Sequence, residues 1–505
     1  MKLSAFIRKG LSASARGASV LGLLALILSA SPLAAQDDDE ELFGGEETVV
    51  QADADDSSIR EAFLKSEGVE LSGSFSGSAG ASATWNDPWG GAFDLFGPDS
   101  STFDPASSLS LAFSAKPDTD LGFYGEVRTA YPFAKDGVPD ISVFKLYSKF
   151  NWNDALFFSF GKQSLAWGQG WFFAPANDIL SLGAVDLYDP EAEREGPLSL
   201  KAQVPFLGSM MNAYLFLIAP AGAEHVFDVA LAPKLELSLP SVELGLSAYY
   251  QRDDKARLIL SGSYARDELS AFGEALVKFG TDRLYVLREE RAGIDMSPVL
   301  PLKTFSYRIV EGTAPAYFTG TAGIMYRDSW EKKLSLTVVA QYLYDGEAQA
   351  NIGLNEAGEA IAERLDPRYP ETGDPAIDMT NPAGSLARFG SRLGRHYGAL
   401  SVNASDILDS DISVSLFAMA NLYDFSGWLR PQVSWQLFKR MQVSAYAQFS
   451  FGGEGDEYTN MGGIYKALQG LTLVPGPVPT FSYADANLTP PLTLGLSLSL
   501  GSGAF

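Results

Sequence analysis

At 505 residues and 46% hydrophobic content, the chain can bury a large core, and one large β-barrel fits this length as well as several smaller domains. Its 62 acidic and 37 basic residues leave a net charge of −25, which argues against a nucleic-acid partner, whose phosphates need a basic footprint. It has no cysteine, which excludes disulfides and a lipid-modified N-terminal cysteine.

Residues 1–35 read as an export signal. Lys2, Arg8, Lys9 and Arg16 form a positive start, residues 20–28 an apolar stretch, and SPLAAQ offers a cut after Ala35. That stretch is too short to span a bilayer comfortably, and no later one approaches the ~20 apolar residues of a membrane helix. Passage through a membrane must therefore use strands. Residues 37–56 then carry ten acids and no base, the pattern of a solvated tail. Ser58 and Glu61 have the spacing of a capping box, which predicts a short helix before residue 69.

From residue 69 onward the hydrophobic period is two. Val69, Leu71 and Phe75 alternate with Glu70, Ser72, Ser74 and Ser76. The same pattern recurs in 121–128, 242–251, 334–342, 412–418 and 442–450, giving each strand one apolar and one polar face. Eighteen strands are predicted, near 69–85, 107–116, 120–131, 140–152, 154–164, 197–206, 210–219, 226–239 and 241–251, then 256–266, 269–280, 315–327, 332–345, 396–404, 411–422, 428–438, 440–452 and 490–500.

A soluble sandwich also alternates, so the connections decide. Every second one is short, such as PDT, LGS, DE or the single residue Pro240, whereas 86–106, 165–196, 281–314, 346–395 and 453–489 are long. Short turns on one rim and long loops on the other mark an outer-membrane barrel. The expected fold is all-β, a transmembrane antiparallel β-barrel of 16–18 strands over 69–505, after a signal (1–35) and an acidic periplasmic tail (36–68). Tyr131, Trp152, Tyr250, Tyr264, Tyr326, Tyr342, Tyr344, Trp428 and Trp435 fall mostly near strand ends, where an interfacial aromatic girdle belongs.

The stretch GKQSLAWGQGWFFAPANDILSL, with DPEAEREGPLSLKAQVPF, resembles bacterial porin-like barrels of the alginate-export type. The matching residues are Gly161, Lys162, Gln163, Trp167, Gly168, Phe173, Pro175, Asn177 and Asp178. The resemblance covers about forty residues and implies an outer-membrane porin. Phe505 ends the chain as in barrels handed to the barrel-assembly machinery, although it is out of phase with the alternation at 492–500.

Catalytic signals are sparse. The only histidines, His225 and His396, fall in or beside different outer loops, and a serine hydrolase needs its base within reach of the nucleophile. Neither zinc ligands nor calcium-loop spacing is present, so neither cofactor nor metal is expected. The acidic GGEGDEY loop and the basic Arg388, Arg392 and Arg395 read as solvated surface.

If apolar positions face lipid, Arg128, Lys145, Lys149 and Lys201 point inward from strands three, four and six. Glu236, Glu243 and Glu274 point inward from strands eight, nine and eleven. Opposite charge on opposite walls would set a field across a pore; equally, lumen positions are polar because water is there. The loop after strand five carries Trp167, Trp171, Phe172 and Phe173. Folded inward, these pack on the wall and Asn177, Asp178, Asp186 and Asp189 line a constriction; folded outward, they form a cap. The best reading is a non-enzymatic outer-membrane channel for small polar solutes, with membrane lipid and the assembly machinery as partners. An adhesin or surface antigen is the alternative, and a carrier of hydrophobic compounds is disfavoured by Thr337, Gln442 and Gln448.

Overall fold

The computed structural model describes residues 69–85, 101–118, 120–135, 138–153, 155–165, 167–178, 194–206, 210–220, 223–252, 254–291 and 304–312, then 314–330, 334–348, 353–354, 360–361, 392, 394–407, 410–452, 457–458 and 492–501. The expected signal, acidic tail, capping-box helix and Phe505 lie outside these residues, as do Arg388, Asp186 and Asp189.

The strands run in chain order. The first are β1 (Val69–Trp85), β2 (Ser101–Asp118), β3 (Leu121–Lys135), β4 (Val138–Trp152) and β5 (Leu156–Lys162). A four-residue helix, α1 (Pro175–Asp178), precedes β6 (Leu198–Phe206), β7 (Met211–Ala219), β8 (Ala230–Leu239), β9 (Val242–Tyr249), β10 (Arg257–Arg266) and β11 (Leu269–Lys278). Next come β12 (Leu284–Arg291), β13 (Thr304–Glu311), β14 (Tyr317–Trp330), β15 (Leu334–Asp345), β16 (Gly353–Leu354) and β17 (Ala360–Ile361). The chain closes with β18 (His396–Ser405), β19 (Ile412–Asn421), β20 (Ser426–Phe438), β21 (Met441–Phe451) and β22 (Leu492–Leu500).

Eighteen of these strands form one sheet. Each pairs antiparallel with its neighbours in sequence, and β1 pairs with β22 from Gly77↔Leu500 to Trp85↔Leu492. The sheet therefore closes on itself and has no edge strand. The four others make two separate hairpins, β12–β13 and β16–β17, inside connections expected to be long loops. All eighteen predicted barrel strands are present. The alternation of loop lengths is less strict than expected, because β3 meets β4 through the pair Lys135↔Val138 and only 422–425 join β19 to β20.

The short turns share one rim, along with Val69 and Leu500. Left-handed residues help to tighten them: Asn153, Met210, Asp267 and Asp406 have φ between 51° and 56°, a region that Asn and Asp tolerate better than most residues.

Alternation sorts the side chains onto two faces. Leu71, Phe75, Phe113, Phe123, Leu215, Leu244, Leu258, Ile324, Val433 and Leu496 are exposed around the outside, an apolar surface far larger than a soluble monomer presents. Tyr131, Trp152, Tyr250, Tyr264, Tyr326, Tyr342 and Trp435 are exposed with them. Trp428 is not part of that girdle. Its parity follows Arg430 and Gln432, and its ring lies 4.8 Å from Phe417 on the inner face.

Candidate functional site: the lumen and its inward loop

Two walls of different character line the interior. Along β22, β1 and β2 the inward residues are mostly small and hydroxylic. Register sets Ser74 opposite Ser110, Ser76 opposite Ser108, Ser78 opposite Ser499, and Thr84 opposite Thr493. Several bond directly, as Ser82 does to Thr102 at 2.7 Å and Thr84 to Thr493 at 3.1 Å.

Next to it, β3 to β8 present a basic strip. A β-bulge between the pairs Glu126↔Lys145 and Val127↔Val143 leaves Phe144 as the extra residue. A bulge re-aims side chains, and here it turns both Phe144 and Lys145 inward. The Arg128 guanidinium lies 3.3 Å from the Phe144 ring centre and 2.5 Å from Glu126, whose other oxygen is 3.9 Å from Lys145. Lys149 sits 4.8 Å from the Tyr124 ring, itself stacked on Tyr147. Lys201 and Lys234 flank Tyr214 at 5.2 and 5.7 Å. Glu236, expected on an opposing acidic wall, pairs with Lys234 at 2.6 Å and so belongs to this strip.

The described part of the connection after β5 packs on inward residues of the barrel strands. Gly161 begins it at φ +139°, where a Cβ would lie 2.2 Å from the Leu146 carbonyl oxygen, so only glycine fits. Gln163, buried, accepts from Ser159 Oγ at 2.7 Å and donates to Ser199 Oγ at 3.0 Å, tying the turn to β5 and β6. Asn177 Oδ1 accepts from the backbone N–H of both Trp167 (2.7 Å) and Gly168 (2.8 Å), which folds the segment on itself over α1.

Two wall side chains then hold the segment by its main chain. Glu274, on β11 and 5% exposed, accepts from Gly170 N at 2.7 Å and Ala176 N at 2.8 Å. A Cβ on Gly168 would stand 2.4 Å from this carboxylate, so glycine admits the close approach. Gln341, on β15, accepts from Phe172 N at 2.7 Å and donates to Phe173 O at 2.7 Å. It also donates to Thr321 Oγ1 at 2.6 Å. Hydrogen bonds to a charged group stabilise by roughly 1.5–3 kcal/mol, and a buried donor left unpaired costs about as much.

The aromatics face opposite ways along this segment. Trp167 packs with Leu165 and Ala176 against inward residues of β7 to β11: Phe216, Ile218, Ala230, Ala232, Tyr249, Ile259 and Leu276. Its ring centre is 5.2 Å from that of Phe216. Phe172 and Phe173 join Met325, Val339, Leu343, Tyr397, Ala399, Phe417 and Met419 on β14 to β19, with Trp171 packed against them. Phe172 meets Phe417 edge-on at 5.0 Å, a favoured geometry for ring pairs. One short segment thus bridges two groups of strands through inward-facing side chains.

A second attachment comes from the connection after β21. Glu457, 1% exposed, accepts from Tyr397 Oη at 2.8 Å and Asn421 Nδ2 at 2.7 Å, and Tyr458 N donates to Ser426 Oγ at 3.1 Å. Burial, then the charge of Glu457, pushes the Tyr458 phenol up. Glu457 and Tyr458, at the end of a stretch expected to be solvated, are thus held by the barrel strands. Arg395 and Arg392 differ from expectation too. Arg395 is buried and donates to the Ala348 carbonyl at 2.8 Å, and Arg392 lies 5.6 Å from the Phe173 ring.

Of the remaining sequence candidates, Glu243 accepts a long 3.4 Å bond from Gln169 Nε2, and Asp178 ends α1. Gln341, Thr321, Lys234 and Glu457 were not foreseen. His225 caps the 3₁₀ turn Val226–Asp228, whereas His396 Nδ1 lies 2.7 Å from Tyr342 Oη on the outer face. No group of three metal-binding side chains occurs among the described residues.

No family model and no curated protein matches the chain. Among solved structures it is similar to Pseudomonas aeruginosa OccK11 (OpdR), at 8% identity over 86% of this chain and 96% of that one, with a TM-score of 0.41. It is similar to P. aeruginosa OccK8 (OprE) at 7% identity, covering 86% and 98%, TM-score 0.40. A triple mutant of the Rhodopseudomonas blastica porin gives 11% identity, 86% and 99% coverage, and a TM-score of 0.36. Such likenesses are too weak to build on, and the fold rests on the strand pairing alone: the chain is a closed antiparallel β-barrel of 18 strands.

Proposed function

We propose that the protein is an outer-membrane channel for passive diffusion of small polar or charged solutes, narrowed by the segment 165–196. The observation that carries this reading is the opposition of faces. An apolar exterior with exposed tyrosines and tryptophans suits lipid, and an interior of serine, threonine, lysine and arginine suits water. An 18-stranded barrel is wide enough to hold a water-filled lumen. Contacts of Trp167 with the β7–β11 wall and of Phe172 and Phe173 with the β14–β19 wall support an inward loop rather than a cap. In this reading Arg128, Lys145, Lys149 and Lys201 line the passage, and Glu274 positions the loop. Residues 1–35 direct export, 36–68 lie in the periplasm, and the barrel-assembly machinery inserts 69–505. The likeness of the 161–178 motif to alginate-export-type barrels supports the same class.

The protein purified in detergent is expected to show mostly β circular dichroism and a gel mobility that changes on heating, and to give stepwise conductance in planar bilayers. Recovery as a soluble monomer without detergent would sink the membrane reading. Insertion without conductance would favour a plugged surface protein, such as an adhesin.

A further inference from the structure

The described part of the inward segment packs on one side of the barrel. Trp167 and its neighbours lie against five successive strands, β7 to β11, and Phe172 and Phe173 against four more, β14, β15, β18 and β19. The two groups adjoin, because β11 pairs with β14. Together they make up half of the eighteen-stranded wall. On this half the inward Ser247, Ser261 and Thr321 are buried.

The far wall differs. On β1 the inward Ser74, Ser76 and Ser78 are exposed, as is Ser108 on β2. Inside a closed barrel, an exposed inward hydroxyl faces the water of the lumen. Burial returns at the margins, at Ser199 on β6 and Ser444 on β21, so the open wall centres on β1 and β2. Cations held by aromatic rings flank it on both sides. Arg430, on β20, lies 3.8 Å from the ring centre of Tyr446 on β21. A Cβ on Gly495 would stand 2.2 Å from that ring, so glycine lets Tyr446 lie close against β22. On the other side are Arg128 over Phe144 and Lys149 near Tyr124.

We propose that solutes cross off-axis, along the hydroxyl wall of β22, β1 and β2, with Arg430 and the Arg128–Lys149 group as the cationic margins that select them. The inference rests on the channel reading and adds to it a route and a further determinant, Arg430. A segment plated on one half of the wall leaves passing solutes to the other half. Serine hydroxyls both donate and accept, so a solute that sheds part of its water finds replacement partners along this wall. Attraction between a guanidinium and a ring face keeps Arg430 and Arg128 in place, and lining charge in a narrow section acts on every passing ion.

The chain has no cysteine, so a single introduced thiol reports its position without background. Ser78→Cys and Ser108→Cys in the open wall are compared in planar bilayers with Ala232→Cys and Ala399→Cys beneath the segment. Each is treated with a bulky charged methanethiosulfonate reagent. Modification at 78 and 108 should cut unitary conductance by about a third or more, since an added group narrows the route it stands in. Positions 232 and 399 should react only after heat denaturation and leave the current unchanged. In a separate variant, Arg430→Gln should lower the anion-to-cation permeability ratio by about 1.5-fold or more. Current unaffected by treatment at 78 and 108, or block from 232 or 399 in the native barrel, would overturn the off-axis route. An unchanged permeability ratio in Arg430→Gln would overturn the part given to Arg430. Absence of conductance from the untreated proteins would instead be a failure of the channel reading.

Discussion

Single-channel conductance is expected to rise about twofold or more when residues 171–189 are replaced by a short Gly/Ser linker, since the narrowest section sets the current. The replaced stretch removes Trp171, Phe172 and Phe173 from the β14–β19 cluster, along with the contacts to Gln341. Insertion should survive, because every barrel strand keeps both ladder partners. Deleting 355–385 from the longest connection should change conductance less. That deletion leaves Ala348, Arg392 and Arg395 in place, and these carry the contacts to the rim and to Phe173. A milder variant separates anchoring from bulk. Glu274→Gln presents an amide to the N–H groups of Gly170 and Ala176, and losing a charged buried acceptor costs roughly 1.5–3 kcal/mol. Its open-channel current should become noisier with unchanged unitary steps at best resolution. Equal conductance after the 171–189 replacement would mean that the segment does not limit the passage.

The second large effect is expected at the basic strip. Lys145→Glu together with Lys149→Glu converts a stretch with five bases and two acids into one with three bases and four acids. The reversal potential in a tenfold salt gradient should then move toward cations by on the order of 10 mV or more, because charged lining selects passing ions. The shift should fade near 1 M salt as screening shortens. An unchanged reversal potential would show that these two side chains stand away from the conducting path.

The eighteen strands were readable because a lipid-facing barrel must alternate at every step, so each strand carries its own local signal. The β12–β13 hairpin escaped for the opposite reason. Its LYVLREER half ends in four consecutive charged residues, 288–291, so its sequence carries no polar–apolar alternation to read. Trp428 was assigned by its place at a strand end, although its even number beside outward Val433 and Trp435 already put it inside. The aromatic segment was visible as a cluster, but its anchors were not. Gln341 looks like any polar residue of an alternating strand, and it meets Phe172 across 169 positions of sequence. Glu274 was visible as an inward acid, yet nothing local announces that its partners are two backbone N–H groups.

That mode of attachment has a consequence for variation. Glu274 and Gln341 grip peptide groups, which every residue except proline supplies in full, so these two grips are indifferent to the side chains at the positions they hold. Gln169 and Trp171, only partly buried, are thus open to replacement without loosening the graft. Natural drift or deliberate redesign can vary these partly buried positions on a fixed mount, with the glycines at 168 and 170 and the buried Trp167, Phe172, Phe173 and Asn177 as the positions that must stay.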